Sequence, residues 1–355
     1  MRAKCLLLFA LLGLLLPNFT FAQEEDPSTR LDNVFTRATE EKDFNGAVLV
    51  IQGDTVLLDK GYGEAEFAFH SPVTPETKFR IGSITKQFTA IGILLLEEEG
   101  LLSVEDHVCD YIPDCPAAWA DITLFHLITH TSGIPNYTSL ARFLDMMGKQ
   151  TTPAGLIATF RDLPLDFEPG TDNSYSNSGY AVLGQVINEV SGQSYGRFLT
   201  DRIFEPLGMT NTAYEDETQV VENRATGYAT FNRVAAFVDM SVPFAAGGLY
   251  STTHDLYTWM QALFQGDLLS PEHQAALFAD AVAAPMPGME YSYGLSIQER
   301  QGVRLIGHDG GINGFMSSIL YAPEQDLTIV VLANVESVSA PSMALLAADI
   351  VLDDE

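Results

Sequence analysis

Basic residues are scarce in this chain of 355 residues. Eighteen Lys and Arg stand against 47 Asp and Glu, a formal net charge of −29. A field of that sign repels nucleic acid and anionic lipid, so neither is an expected partner. The acidic residues are dispersed, which argues against a disordered acidic tail. Cysteine is scarcer still, at three, too few to build a metal site. His126 and His130 have the i, i+4 spacing of a zinc helix, but no Glu lies between them. No metal is therefore expected, and the two read as core or turn-stabilising histidines. Strand and helix units do not alternate, which sets aside a Ser-His-Asp triad on an α/β-hydrolase fold. Beyond the N-terminus no stretch reaches the roughly 20 apolar residues of a membrane span, so no stable membrane insertion is expected.

What is present begins with Arg2, Lys4, an apolar run from Cys5 to Leu16 and the small-residue site Thr20-Phe21-Ala22. Together these read as a secretory signal peptide over residues 1–22, giving a secreted or periplasmic protein. Residues 23–355 then form one domain with net charge −31, because Arg2 and Lys4 leave with the signal. Its only cysteines, Cys109 and Cys115, are either two buried thiols or a small disulfide around Tyr111-Ile112-Pro113, and an oxidising compartment favours the disulfide.

Along the chain, a helix near 28–42 precedes a hairpin of Ala47–Ile51 and Val56–Leu58 turning at Gly53-Asp54. A helix from about Ile84 to Glu99 stops at Gly100. To about residue 240 the pattern is helix and loop, with Thr123 capping a short helix and Ser178 capping Gly179–Val190. Strand character returns at 295–297, 303–306, 316–321 and 327–332, and a last helix covers about 338–352. Strands at both ends with helices between them predict an α+β fold. One antiparallel sheet is built from the two terminal segments (about 23–82 and 241–355), with an inserted helical lobe (about 83–240) and a ligand cleft between.

Three segments carry chemistry. In Ile81-Gly82-Ser83-Ile84-Thr85-Lys86, a glycine turn enters a helix and the spacing sets Ser83 and Lys86 on one helical face. A serine there has backbone N–H groups and the positive helix end beside it, and a desolvated lysine one turn on can take its proton. With 21 serines and six lysines such a pair arises by chance in roughly one shuffled chain in three, so the other segments decide. Tyr175-Ser176-Asn177 follows the Pro169-Gly170 turn, and Gly307-His308-Asp309-Gly310-Gly311 ends a strand-like run.

Ser-x-x-Lys, Ser-Asp-Asn and Lys-Thr-Gly, in that order, mark penicillin-binding proteins and class A β-lactamases. With Tyr-x-Asn and His-x-Gly as the second and third elements, the chain resembles the class C β-lactamase, DD-peptidase and esterase branch of the serine β-lactamase and penicillin-binding-protein superfamily. Further matching segments are His126–Gly133, Phe167–Gly170, Phe204–Met209 and Ala246–Thr252. The resemblance implies an acyl-enzyme on Ser83, Lys86 and Tyr175 as proton carriers, Asn177 holding the substrate carbonyl or Lys86 in place, and His308 as the polar wall that a lysine supplies in β-lactamases. It implies an oxyanion hole from the N–H groups of Ser83 and Gly311, with Asp309, Gly310 and Gly311 along the substrate. Asp309 stands where Lys-Thr-Gly enzymes have a hydroxyl, and facing the cleft it would repel a substrate carboxylate, whereas adjacent strand residues face opposite sides. No cofactor is called for. A small-molecule or peptide substrate (a D-amino-acid peptide, an ester or a β-lactam) and a monomer are expected. The competing expectation is a penicillin-recognising sensor that acylates and turns over slowly.

Overall fold

The computed structural model describes residues 25–216, 218–266, 268–284 and 288–353; the signal-peptide reading of residues 1–22 lies outside them. Helix α1 (Pro27–Glu40) starts where Asp26 accepts the Thr29 N–H at 3.1 Å and Pro27 presets the first turn. Strands β1 (Gly46–Gln52) and β2 (Thr55–Tyr62) form the expected hairpin, with Gly53 at φ +53° in its turn. The C-terminal part supplies β3 (Val282–Ala283), β4 (Met289–Ser292), β5 (Leu295–Arg300), β6 (Val303–Ile312), β7 (Phe315–Ala322) and β8 (Leu327–Ala333).

These strands make one antiparallel sheet in the order β3-β4-β5-β6-β7-β8-β1-β2. Strand β1 pairs with β8, Leu49 opposite Val330, so the two ends of the chain close the sheet. β1 is apolar at consecutive positions because both faces are covered. Ala47, Leu49 and Ile51 pack toward the helix Thr253–Phe264, Val48 and Val50 toward α1 and the C-terminal helix Ala340–Leu352.

The insert holds α2 (Thr85–Glu98) and α3 (Asn177–Ser191), with shorter helices around them. Every residue of α2 from Thr85 to Leu96 is buried. Phe88 stacks on Trp259 at 4.1 Å between centroids, and the Trp259 N–H donates to Gln87 Oε1 at 2.7 Å. Such packing holds one end of the helix rigid.

Two readings shift. The cap of α3 is Ser176, whose Oγ accepts the Gly179 N–H, so Asn177 lies in the first turn; Ser178 instead donates to the Pro135 carbonyl. Strand β6 extends to Ile312, six residues beyond Ile306, and short strands such as Ala213–Tyr214 and Tyr228–Thr230 lie among the helices.

Candidate active site

Ser83 sits in a single 3-10 turn, Gly82–Ile84, leading into α2. Gly82 adopts φ +49°, and a Cβ there would lie 2.9 Å from the Gly311 nitrogen, so both the backbone conformation and the close approach of β6 require glycine. Gly310 is equally constrained: its Cβ would meet the Ile81 carbonyl oxygen at 2.0 Å. Ser317 Oγ of β7 donates to that same carbonyl at 2.8 Å, fastening the middle of the sheet to the nucleophile turn.

One turn beyond Ser83, at the second residue of α2, Lys86 is fully buried. Its Nζ lies 3.1 Å from Ser83 Oγ, 2.8 Å from Asn177 Oδ1 and 2.8 Å from the Ala246 carbonyl oxygen. Desolvation holds its pKa well below the usual lysine value. The Tyr175 ring passes 4.8 Å from Nζ at its centroid, and the phenol's electrostatic partner is the Ser83 hydroxyl. Burial raises the Tyr175 pKa, and the Ser83 hydrogen bond offsets part of that rise. Serine thus stands between a lysine biased to be neutral and a tyrosine biased to stay protonated.

His308, on the helix-facing side of β6, is also buried. Its Nδ1 faces the Asp309 carbonyl and its Nε2 lies 3.1 Å from the Tyr291 hydroxyl. Burial, reinforced by nearby Lys86, pushes its pKa down to about 3, so the ring is neutral. Asp309 follows strand parity to the opposite face, where Ser318 Oγ donates to its carboxylate at 2.7 Å. Desolvation raises the Asp309 pKa, and the Ser318 bond lowers it in part.

Ser83 thus lies along a cleft with two cavities of about 260 Å³ each. One is lined by Ser83, Asn177, Gly311 and apolar side chains including Phe143 and Val242. The other is lined by Tyr175, His308, His130, Tyr291 and Met289, with Asp309 at its edge. Among the described residues no cluster of ligating side chains could hold a metal ion.

A family model, Beta-lactamase, matches residues 31–352. The chain belongs to the beta-lactamase family. Penicillin-binding protein 4* of Bacillus subtilis is 28% identical over 343 residues, covering 92% of this chain and 76% of that protein. Among solved structures, the octameric penicillin-binding protein homologue from Pyrococcus abyssi is 31% identical, with a TM-score of 0.81 over 92% of this chain and 77% of that one. A D-stereospecific amidohydrolase from Streptomyces sp. is 26% identical, with a TM-score of 0.78 over 90% and 97%. The superfamily assignment and the α+β fold therefore hold. The octameric relative lends no support to a monomer. No helix among the described residues is long and apolar enough to cross a membrane.

Ser83, Tyr175, Asn177, His308 and Gly311 line one beta-lactamase-family cleft, with Lys86 buried behind Ser83 and Asn177, whereas the Asp309 carboxylate is turned to the other side of the sheet. Cys109 and Cys115 form a disulfide, Cα–Cα 5.2 Å, away from it. His126 serves its own turn in a capping box with Thr123. Three contributors went unread in the sequence. The only sequence signal of the segment that holds the Ala246 carbonyl is its resemblance, His130 reads in sequence as a core or turn-stabilising histidine, and Tyr291 carries no sequence signal at all.

Proposed function

We propose that this chain is an exported serine hydrolase that cleaves amides or esters through an acyl-enzyme on Ser83. The observation that carries the reading is the set of partners around Lys86 Nζ. A neutral amine has two N–H donors and one lone pair. Asn177 Oδ1 and the Ala246 carbonyl can only accept, so they take both donors, and the lone pair is left for the Ser83 O–H at 3.1 Å. Burial favours that neutral form.

In acylation, Ser83 Oγ attacks the substrate carbonyl carbon while its proton passes to Lys86. Negative charge developing on the carbonyl oxygen is met by the backbone N–H groups of Ser83 and Gly311. Tyr175, held in its phenol form, gives its proton to the leaving group, and the phenolate is stabilised by the Lys86 ammonium beside it. In deacylation a water attacks the ester, its proton returns to Tyr175, and Lys86 gives its own back to Ser83 Oγ. Protons balance over the cycle without a cofactor. The Streptomyces relative's description as a D-stereospecific amidohydrolase and the penicillin-binding names of others support an amide-type acyl donor.

A turnover panel of a D-amino-acid amide, a small ester and a cephalosporin, with Ser83→Ala as control, tests this. Sustained Ser83-dependent turnover of at least one is expected. A stoichiometric burst without turnover on all three would make the protein a slow-deacylating sensor instead, and undiminished turnover by Ser83→Ala would remove the mechanism.

A further inference from the structure

Resting on the acyl-enzyme reading above, we propose that the cavity beside Tyr175 receives the leaving group, and that its walls select an uncharged, apolar leaving group over one bearing a carboxylate. The direction follows from the proton donor. A phenol that protonates the departing atom must stand on the departing side, which assigns the Tyr175 cavity to the leaving group and the Asn177–Gly311 cavity to the acyl part.

The leaving-group cavity is built mainly of rings and apolar groups, Tyr175, Tyr291, Met289 and the imidazoles of His130 and His308, with the neutral polar side chains of Asn173 and Ser296 among them. No Lys or Arg is among the described residues lining it. His308 offers an anion nothing. Its Nδ1 faces a carbonyl and so carries the proton, which leaves Nε2 as acceptor for the Tyr291 hydroxyl, and both nitrogens are engaged. The nearest amine, Lys86, is occupied by Asn177, Ala246 and Ser83.

A neutral donor remains. His130 Nδ1 accepts the Ser176 N–H at 3.1 Å, so its proton sits on Nε2, which is buried without a partner among the described residues. Such neutral N–H groups suit a neutral acceptor such as an ether, carbonyl or nitro oxygen. A buried carboxylate needs a compensating charge that this wall lacks.

Three chromogenic esters test the inference: a neutral 4-nitrophenyl ester, the 3-carboxy-4-nitrophenyl ester of the same acyl group, and a 4-nitrophenyl ester whose acyl chain ends in a carboxylate. Each kcat/KM is divided by the rate of hydroxide hydrolysis of that ester and measured in 1 M salt, where the Debye length of about 3 Å removes long-range repulsion. The leaving-group carboxylate alone is expected to lower kcat/KM by about tenfold or more, and Met289→Lys to narrow that gap. Equal values for the first two esters, or equal penalties for the two carboxylates, overturn the inference while Ser83-dependent turnover still upholds the acyl-enzyme. Undiminished hydrolysis by Ser83→Ala overturns the underlying reading instead.

Discussion

Lys86 is the residue on which the chemistry turns, and its burial has a consequence for stability as well as rate. Its folded pKa lies well below the ordinary 10.5, so between those two values the unfolded chain binds one proton more than the folded one. Stability then rises with pH across that window, by about 1.4 kcal/mol per pH unit from this group. Denaturant unfolding of wild type and Lys86→Met at pH 8 and 9 should show wild type gaining that much on the variant, and a pH-independent difference would mean Lys86 is buried charged. Activity should fall on acidification as the amine protonates. For Asp309, the Ser318 hydrogen bond and strand parity remove the geometry for direct repulsion of a substrate carboxylate. Asp309→Thr should therefore change the ester-to-cephalosporin ratio of kcat/KM by less than about threefold, and a tenfold shift toward the cephalosporin would put the carboxylate back in the cleft. At this scale the sequence disclosed the residues whose side chains must be of one type, Ser83, Lys86 and Tyr175, through their spacing and order. It was silent on the Ala246 carbonyl, because any residue has one, and on the His308–Tyr291 bond, because that pairing exists only once β4, β5 and β6 are in register.

The sequence expectations for α1, β1, α2 and β8 reach nearly to the ends of those elements, whereas β2 runs on to Tyr62, four residues beyond the expected Leu58. The misread ones are those whose local signal is overridden. β6 was cut short at Ile306 because Gly307, His308, Asp309, Gly310 and Gly311 have poor strand character, yet these residues pair with β7 from Gly307–Leu320 to Gly311–Met316. Both Ser176 and Ser178 can cap a helix, and the choice fell to Ser176 because Ser178 is taken by Pro135 and Tyr137. The same glycines that hide β6 in the sequence let it dock on the nucleophile turn. Gly310→Ala would place a methyl against the Ile81 carbonyl and push the strand from Ser83. A displacement of that kind should lower kcat/KM by about 10²-fold while circular dichroism still reports the native fold, and wild-type kinetics in the variant would show the strand edge to be unimportant.

On the scale of the whole molecule, the sheet drawn from both chain ends carries His308 and Gly311, and the segments inserted between those ends carry Ser83, Lys86, Tyr175 and Asn177, so the cleft assembles only when the two parts pack. The disulfide bears on compartment rather than on catalysis. Protein recovered from outside the cytosol should alkylate at Cys109 and Cys115 only after reduction, and reduction should cost no more than about 2 kcal/mol for so short a loop. Two thiols reactive without reductant would count against export through an oxidising compartment. The central claim is that one serine carries the acyl group. Intact-protein mass spectrometry after a fluorophosphonate or penicillin probe, followed by peptide mapping, reads this directly. The account predicts a single adduct on Ser83, absent in folded Ser83→Ala protein. An adduct on another residue, or one that persists in Ser83→Ala, would contradict it.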